Sequence, residues 1–97
     1  MKITIQATGL TPHQPLEEHI NKKLSKIETF YDKILEGQVH LKVENTSEKD
    51  NKTTEIRLVV PGDDIIVKKT GASFEESLDL CVDTAKKLVI KKKELES

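Results

Sequence analysis

The sequence predicts an α+β fold, a two-layer sandwich in which a four-stranded mixed sheet carries two long helices on one face. Four short segments alternate apolar and polar residues, as half-buried strands do. Two longer segments repeat apolar residues every three or four positions, as amphipathic helices do. Their order is β-α-β-β-β-α, so the first two strands should be parallel across a right-handed crossover and the others should form an antiparallel meander. Two helices are then available to cover the apolar face of the sheet.

The amino-terminal third of the chain predicts one strand and one long helix. Residues 2–8 alternate apolar and polar side chains throughout. The prolines that follow place the helix start between His13 and Leu16, because proline is tolerated in the first helical turn and not in the interior. Residues 16–35 keep the helical period over about 30 Å, and Gly37 is predicted to end the helix. The apolar positions are Leu16, Ile20, Leu24, Ile27, Tyr31 and Ile34.

The middle of the chain predicts three strands, at residues 38–45, 53–60 and 65–70. A polar hairpin loop at 46–52 and the Pro-Gly-Asp-Asp turn at 61–64 separate them. The inward positions are predicted to be Val39, Leu41, Val43, Ile56, Leu58 and Val60.

The last quarter of the chain, residues 73–97, predicts one long amphipathic helix. Ser73 and Glu76 fit a capping box, in which the serine hydroxyl accepts a hydrogen bond from the amide three residues on and the glutamate reaches back. The single cysteine, Cys81, falls on the apolar face and is expected to be a small core residue. The other apolar positions are Phe74, Leu78, Val82, Ala85, Leu88 or Val89, and Leu95.

Charge is distributed unevenly along this final helix. Residues 73–83 carry four acids and no base, whereas residues 84–93 carry five lysines and no acid. Acids near the start of a helix and bases near its end stabilise it through the helix dipole, by ~0.3–1 kcal/mol per exposed charge. The dipole explains less well why five lysines are so close together. The alternative is a basic binding surface, which outward lysines of the first helix can share. The five are Lys86, Lys87, Lys91, Lys92 and Lys93.

Composition limits what such a surface can bind. The 97 residues predict a single domain spanning 1–97, and 16 basic against 17 acidic residues give a net charge of −1. A general polyanion binder would be clearly basic, so any nucleic-acid site must be a local patch. The amino terminus does not fit a signal peptide, and no apolar run reaches membrane-spanning length. The expectation is a soluble cytosolic protein with no membrane partner.

No motif in the sequence predicts catalysis. It has no glycine-rich phosphate loop, no nucleophile elbow and no metal-spaced cluster of Cys or His. His13, His19 and His40 fall in a joint, a helix and a strand, and surface histidines are the simpler interpretation. We therefore expect that the protein is not an enzyme and that it binds no cofactor, metal or small-molecule substrate.

The aromatic residues are too few for a single-strand nucleic-acid reader, which needs stacking platforms. They are Phe30, Tyr31 and Phe74, and the last two fall on predicted core faces. Structured RNA is recognised through phosphates, 2′-hydroxyls and overall shape, for which lysines on rigid helices suffice. The predicted plan is also similar to a double-stranded-RNA-binding domain with an added first strand.

Three segments of the chain carry a resemblance to a known family. They are HINKKLSKIETFYDKI at residues 19–34, VHLKVE at 39–44 and FEESLDLCVDTAKKLVIKKKE at 74–94. They resemble the first helix, second strand and final helix of the ribosome hibernation factors. This family includes the short hibernation-promoting factor and the ribosome-associated inhibitor, also called sigma-54 modulation or ribosomal subunit interface proteins. The resemblance covers nearly the whole chain. It is to the short form, not to the long form that dimerises ribosomes through its own C-terminal domain.

The resemblance implies a bacterial or plastid cytosolic protein that binds the small ribosomal subunit in the channel for messenger RNA and transfer RNA. Helical lysines would contact 16S ribosomal RNA phosphates, which blocks translation and preserves idle ribosomes. Ribosomal proteins lining the channel are further candidate partners, and the protein itself is expected to be monomeric. The basic residues that match the family are Lys23, Lys26, Lys87, Lys91 and Lys93, and Lys22, Lys86 and Lys92 beside them add charge.

The chain also departs from the family pattern at several positions. Thr84 stands where the family usually has a basic residue, and Leu88-Val89 stands where it often has Gln-Leu. His13 replaces the usual threonine cap of the first helix. The alternative function is a protein-interaction module for a transcription or translation regulator, binding through a sheet edge or around Ile90. That alternative predicts weak salt dependence and sensitivity to Ile90→Asp.

Overall fold

Six elements follow one another in the predicted order in a computed structural model, which describes residues 1–96. They are β1 (Lys2–Thr8), α1 (Gln14–Glu28), β2 (Glu36–Val43), β3 (Lys52–Val59), β4 (Ile65–Gly71) and α2 (Phe74–Glu96). The sheet order is β1-β2-β3-β4, with β1 parallel to β2 and the other pairs antiparallel. The predicted two-layer α+β fold is therefore confirmed.

The core is built from rows of apolar side chains that cross the sheet in register. Ile5 pairs with Val39, Val39 with Ile56, and Ile56 with Val67. The last three are buried, whereas Ile5 on the edge strand is half-buried. Both helices lay their apolar faces on this side of the sheet and form one cluster with it. The other face of the sheet carries the polar residues of each strand.

The prediction that the first helix extends to residue 35 is wrong, because α1 ends at Glu28. Beyond it the amides of Phe30 and Tyr31 bond carbonyls three residues back, which tightens the turn. The Thr29 hydroxyl also donates to the Lys26 carbonyl at 2.6 Å. Tyr31 and Ile34 are buried all the same, so the apolar period continues past the end of the helix. The helix is about 22 Å long instead of about 30 Å.

The prediction that Gly37 ends the first helix is also wrong, because it lies buried inside β2. A Cβ there would lie 3.0 Å from Leu24 Cδ2 and 3.1 Å from Met1 Sδ. Glycine thus lets α1 approach the sheet closely. The start of α1 was predicted correctly. His13 caps it, since its Nδ1 accepts a hydrogen bond from the Leu16 amide at 3.0 Å.

The capping box of α2 is confirmed, with the Glu76 amide donating to Ser73 Oγ at 3.1 Å. The Glu76 carboxylate accepts from the Ala72 amide at 3.4 Å. Between the two neighbouring candidates for the core, Val89 is fully buried and Leu88 is 40% exposed. The expectations that Leu95 and Val43 point inward are wrong, since both are exposed. Leu95 lies at the end of α2, where little of the sheet remains to cover it.

A small polar network lies inside the core where α2 crosses β3. The Thr54 and Ser77 hydroxyls are 2.6 Å apart, and Ser77 Oγ donates to the Phe74 carbonyl at 3.3 Å. Cys81 is a buried core residue as predicted, and its thiol donates to the Thr54 carbonyl at 3.1 Å. Burial raises the pKa of the Cys81 thiol to about 11.

Candidate nucleic-acid interface

The two helices run parallel, so that their carboxyl-terminal halves lie at the same end of the molecule. His19 Nε2 lies 3.2 Å from Asp79 Oδ1, Phe30 just beyond α1 contacts Lys86, and Tyr31 bonds Glu96. These contacts pair later residues of the first segment with later residues of the second. Asp79, in the first half of α2, therefore lies beside the middle of α1, where it also pairs with Lys23, and the five lysines of α2 lie beside and beyond the end of α1. Lysines therefore outnumber the acids of the two helices at this end, which are Glu28, Glu94 and Glu96, although the net charge of the chain is −1.

Five of the eight predicted site lysines are exposed and make no ion pair with another described residue. None of the ion pairs within residues 1–96 involves them. On each helix they include a pair one turn apart, which presents two ammonium groups on one flank. The five residues are Lys22 and Lys26 on α1, and Lys87, Lys91 and Lys93 on α2.

The other three predicted site lysines are engaged within the protein. Lys23 is only 33% exposed and pairs with Asp79 at 3.7 Å. Lys92 is only 22% exposed and pairs with Glu96 at 3.7 Å. Its Nζ also lies 3.4 Å from the place of a Cβ on Gly62, against the β3–β4 turn. Lys86 Nζ lies 4.5 Å from the centroid of the Phe30 ring, which is a cation–π contact.

The end of α2 is fastened to the segment that follows α1. The Tyr31 hydroxyl donates to both Glu96 carboxylate oxygens, at 2.8 and 2.9 Å, and Lys33 adds an ion pair at 3.3 Å. Burial, together with this hydrogen bond, raises the pKa of Tyr31 to about 12. The same hydrogen bond lowers the pKa of Glu96. This contact holds the lysine-bearing half of α2 in a fixed position against α1.

A groove lies between the end of α1 and the lysine-bearing half of α2. It measures about 390 Å³ and is lined by Thr29, Phe30, Ile90, Lys93 and Glu94. The sequence did not predict it, because Phe30 lies off the apolar period of α1. The only indication in the sequence is an aromatic residue beside the buried Tyr31 with no place on the core face. We call it the Phe30 groove below.

The polar face of the sheet is a weaker candidate for binding a polyanion. It has a concave region of about 490 Å³. Its basic residues, Lys2 and Arg57, are balanced by Glu36 and Glu55, and Arg57 is also paired with Asp64 at 2.8 Å. Its charges are therefore balanced, whereas lysines outnumber acids at the end of the helical layer.

The three histidines each have a local partner. His13 caps α1, His19 contacts Asp79, and His40 Nε2 lies 2.8 Å from the Thr8 hydroxyl. In the described part of the chain, no cluster of three or more His, Cys, Asp or Glu side chains could hold a metal ion. None of the helices within residues 1–96 is long and apolar enough to span a membrane.

Comparison with known proteins identifies relatives of similar length. The sequence profile described as "Sigma 54 modulation protein / S30EA ribosomal protein" matches residues 3–96. A curated relative from Pseudomonas putida, named ribosome hibernation promoting factor, is 28% identical over 94 residues. That alignment covers 97% of this chain and 88% of the relative.

Two solved structures share the fold. The Thermus thermophilus Protein Y N-terminal domain superposes with a TM-score of 0.80 at 23% identity, covering 94% of this chain and 98% of that one. A ribosomal subunit interface protein from Coxiella burnetii superposes with a TM-score of 0.84 at 20% identity, covering 97% and 99%. At these identities the superpositions support the fold alone.

Proposed function

This chain belongs to the Sigma 54 modulation protein / S30EA ribosomal protein family, and from that membership we propose that it is a ribosome hibernation factor. In this proposal it binds the small ribosomal subunit in the channel for messenger RNA and transfer RNA and silences translation. It acts in the cytoplasm as a binding protein, without catalysis or cofactor. The name of its Pseudomonas putida relative, ribosome hibernation promoting factor, supports both hibernation and the ribosome as partner.

The observation that carries the proposal is the set of exposed lysines without ion pairs on the helical layer. Lysines held on rigid helices suit the phosphates of structured RNA, which proteins recognise by backbone and shape more than by sequence. Glu28, Glu94 and Glu96 lie at the same end as these lysines. Glu28 pairs with the amino terminus and Glu96 with Lys33 and Lys92, so their charge is partly compensated within the protein. We propose that Lys22, Lys26, Lys87, Lys91 and Lys93 contact 16S ribosomal RNA phosphates directly. Lys23, Lys86 and Lys92 then contribute charge from positions already engaged in the fold.

The mechanism is exclusion by occupancy. A protein bound in the channel covers the surface that messenger RNA and the anticodon arms of transfer RNA need, so initiation cannot begin while it is bound. Because the contacts are mainly electrostatic, the complex should form quickly and weaken steeply with salt. Ribosomal proteins that line the channel are the remaining expected partners.

Co-sedimentation with purified small ribosomal subunits at low and raised salt tests the proposal. We expect near-stoichiometric co-migration that weakens as salt rises and is lost when transfer RNA and messenger RNA are bound first. Absence of co-migration at low salt would refute it. Binding that ignores pre-bound transfer RNA would place the site outside the channel.

A second function is favoured by one specific feature, an apolar flank of α2 beside the edge strand β4. Leu80, Leu88 and Leu95 are exposed on this helix, and β4 pairs only with β3 within the described residues. A protein regulator docked there would bind with little salt dependence and would be displaced by Leu88→Asp. Ribosome binding that survives Leu88→Asp and remains salt-sensitive would rule this alternative out as the main function.

A further inference from the structure

Phe30 is the aromatic residue that packs against the core yet also lines a groove at the surface. Tyr31 and Phe74 are buried, as the sequence predicted, whereas Phe30 is only partly covered. It follows the last turn of α1, where the hydrogen bond from its amide to the Ile27 carbonyl at 2.9 Å fixes its backbone. An aromatic ring held in this way on the helical layer is suited to bind a ligand.

The surroundings of the ring combine an apolar surface with more basic than acidic side chains, since Glu94 is the one acid among the described residues that line the groove. Ile90 lies across the Phe30 groove on α2, and Lys93 stands on the rim almost one turn further along. Lys86 already places its ammonium group over the ring. Lys26, exposed and four residues before Phe30, adds a further cation at the end of α1. The volume of about 390 Å³ is within the range of sites that hold small planar ligands.

We propose that the Phe30 groove receives one unpaired nucleotide of the small-subunit ribosomal RNA. Its base takes the place of the Lys86 ammonium group over the Phe30 ring and contacts Ile90, and its phosphates lie near Lys93 and the displaced Lys86. The proposal rests on the proposed function, since it names a feature of the same RNA partner. In this proposal the surface binds two features of the RNA. The exposed lysines contact the phosphates of a duplex, and the Phe30 ring contacts one extruded base.

The charge of the groove favours a nucleotide over an apolar protein side chain. A leucine or methionine from a protein partner would fill an apolar groove without needing cations beside it. A nucleotide brings a flat π-face and a negative charge together, and it meets a ring and lysines in the same place. Stacking on an aromatic side chain does not depend on the base, because every base has a π-face. The site therefore requires no base-specific hydrogen bond.

The test compares the binding of Phe30→Leu, Phe30→Tyr and wild-type protein to purified small ribosomal subunits at several salt concentrations. Leucine keeps an apolar side chain in the groove but removes the π-face, whereas tyrosine restores the ring. We expect Phe30→Leu to weaken binding by about 5- to 150-fold, the contribution of one stacked base. Phe30→Tyr should bind as the wild type does. The log–log salt slope of Phe30→Leu should be unchanged, because no phosphate contact is lost.

A second measurement identifies the occupant independently of any variant. Irradiation of the wild-type complex at a wavelength that couples stacked rings to bases should join the peptide containing Phe30 to ribosomal RNA.

For the binding comparison of the variants, Leu95→Ala is the matched control, since it removes an exposed apolar side chain from α2 outside the groove. Thermal unfolding of each variant shows whether it is folded.

Each outcome decides the proposal. If the wild type binds small subunits and Phe30→Leu binds them with the same affinity, the nucleotide site is refuted and the proposed function stands. Weaker binding of Phe30→Leu without a cross-link from Phe30 to RNA means that the groove takes a protein side chain, which also overturns it. No salt-dependent binding by the wild type overturns both proposals. The proposal stands if Phe30→Leu binds the small subunit more weakly, Phe30→Tyr binds as the wild type does, and the cross-link between Phe30 and RNA forms.

Discussion

Two pairs of lysines on the same helical layer should respond differently to loss of charge. In Lys87→Gln/Lys91→Gln, two exposed ammonium groups without ion pairs are removed from one flank of α2. In Lys23→Gln/Lys92→Gln, two positive charges are also removed, but each already has a carboxylate partner at 3.7 Å. The change in net charge is identical, so the second variant is a matched control for the first.

The expected magnitude follows from counterion release. Each lysine that neutralises a phosphate adds ~0.7 to ~0.9 to the slope of log affinity against log salt. Loss of Lys87 and Lys91 should therefore lower the slope by about 1.4 to 1.8. Between 50 and 200 mM salt, a fourfold change, the wild type should then lose about tenfold more affinity than this variant. The control pair should change the slope less, because its ammonium groups release fewer counterions on binding.

Quantitative pelleting of each protein with small ribosomal subunits, at four or more salt concentrations, gives the slopes. Urea unfolding of both variants shows whether stability is preserved, as expected for charges on the helix surface. An unchanged slope in Lys87→Gln/Lys91→Gln would refute the assignment of these two lysines to phosphates. A larger change in Lys23→Gln/Lys92→Gln would refute the argument that internal ion pairs withdraw a lysine from the interface.

Two further predictions concern the fold. Ser77→Ala should lower the free energy of unfolding by about 1–3 kcal/mol, because it leaves the buried Thr54 hydroxyl without its partner. In urea unfolding, Ser77→Ala/Thr54→Val should cost less than the sum of the two single changes, and full additivity would contradict the coupling. The pKa of Tyr31 is raised from 10.0 to about 12 in the folded protein, so the unfolded chain releases this proton at lower pH. The free energy of unfolding should therefore fall as pH rises from about 10 to 12. Tyr31→Phe should make that decline shallower, and an unaltered pH profile would argue against the buried hydrogen bond to Glu96.

The basic character of the helical layer was predictable from the sequence, but its division into exposed and engaged lysines was not. Lys23 and Asp79 are far apart in the chain, and only the parallel packing of α1 and α2 brings them together. Lys86 is likewise one of five lysines within eight residues, yet its ammonium group lies over the ring of Phe30. The chain order gives the charge of each residue, whereas its partner depends on which helix faces it.

Local sequence patterns were enough to predict the six elements, their order and most of the core, since the apolar period of a helix or strand is a local property. Val39, Ile56 and Cys81 are buried as their periods require. The end of α1 did not follow from its apolar period, which continues into residues 29–35 while the backbone changes to a tighter turn and Tyr31 bonds Glu96 of α2. Tertiary structure also decided that Gly37 serves close packing of a helix on the sheet. These outcomes depend on contacts between segments distant in sequence, which no local pattern encodes.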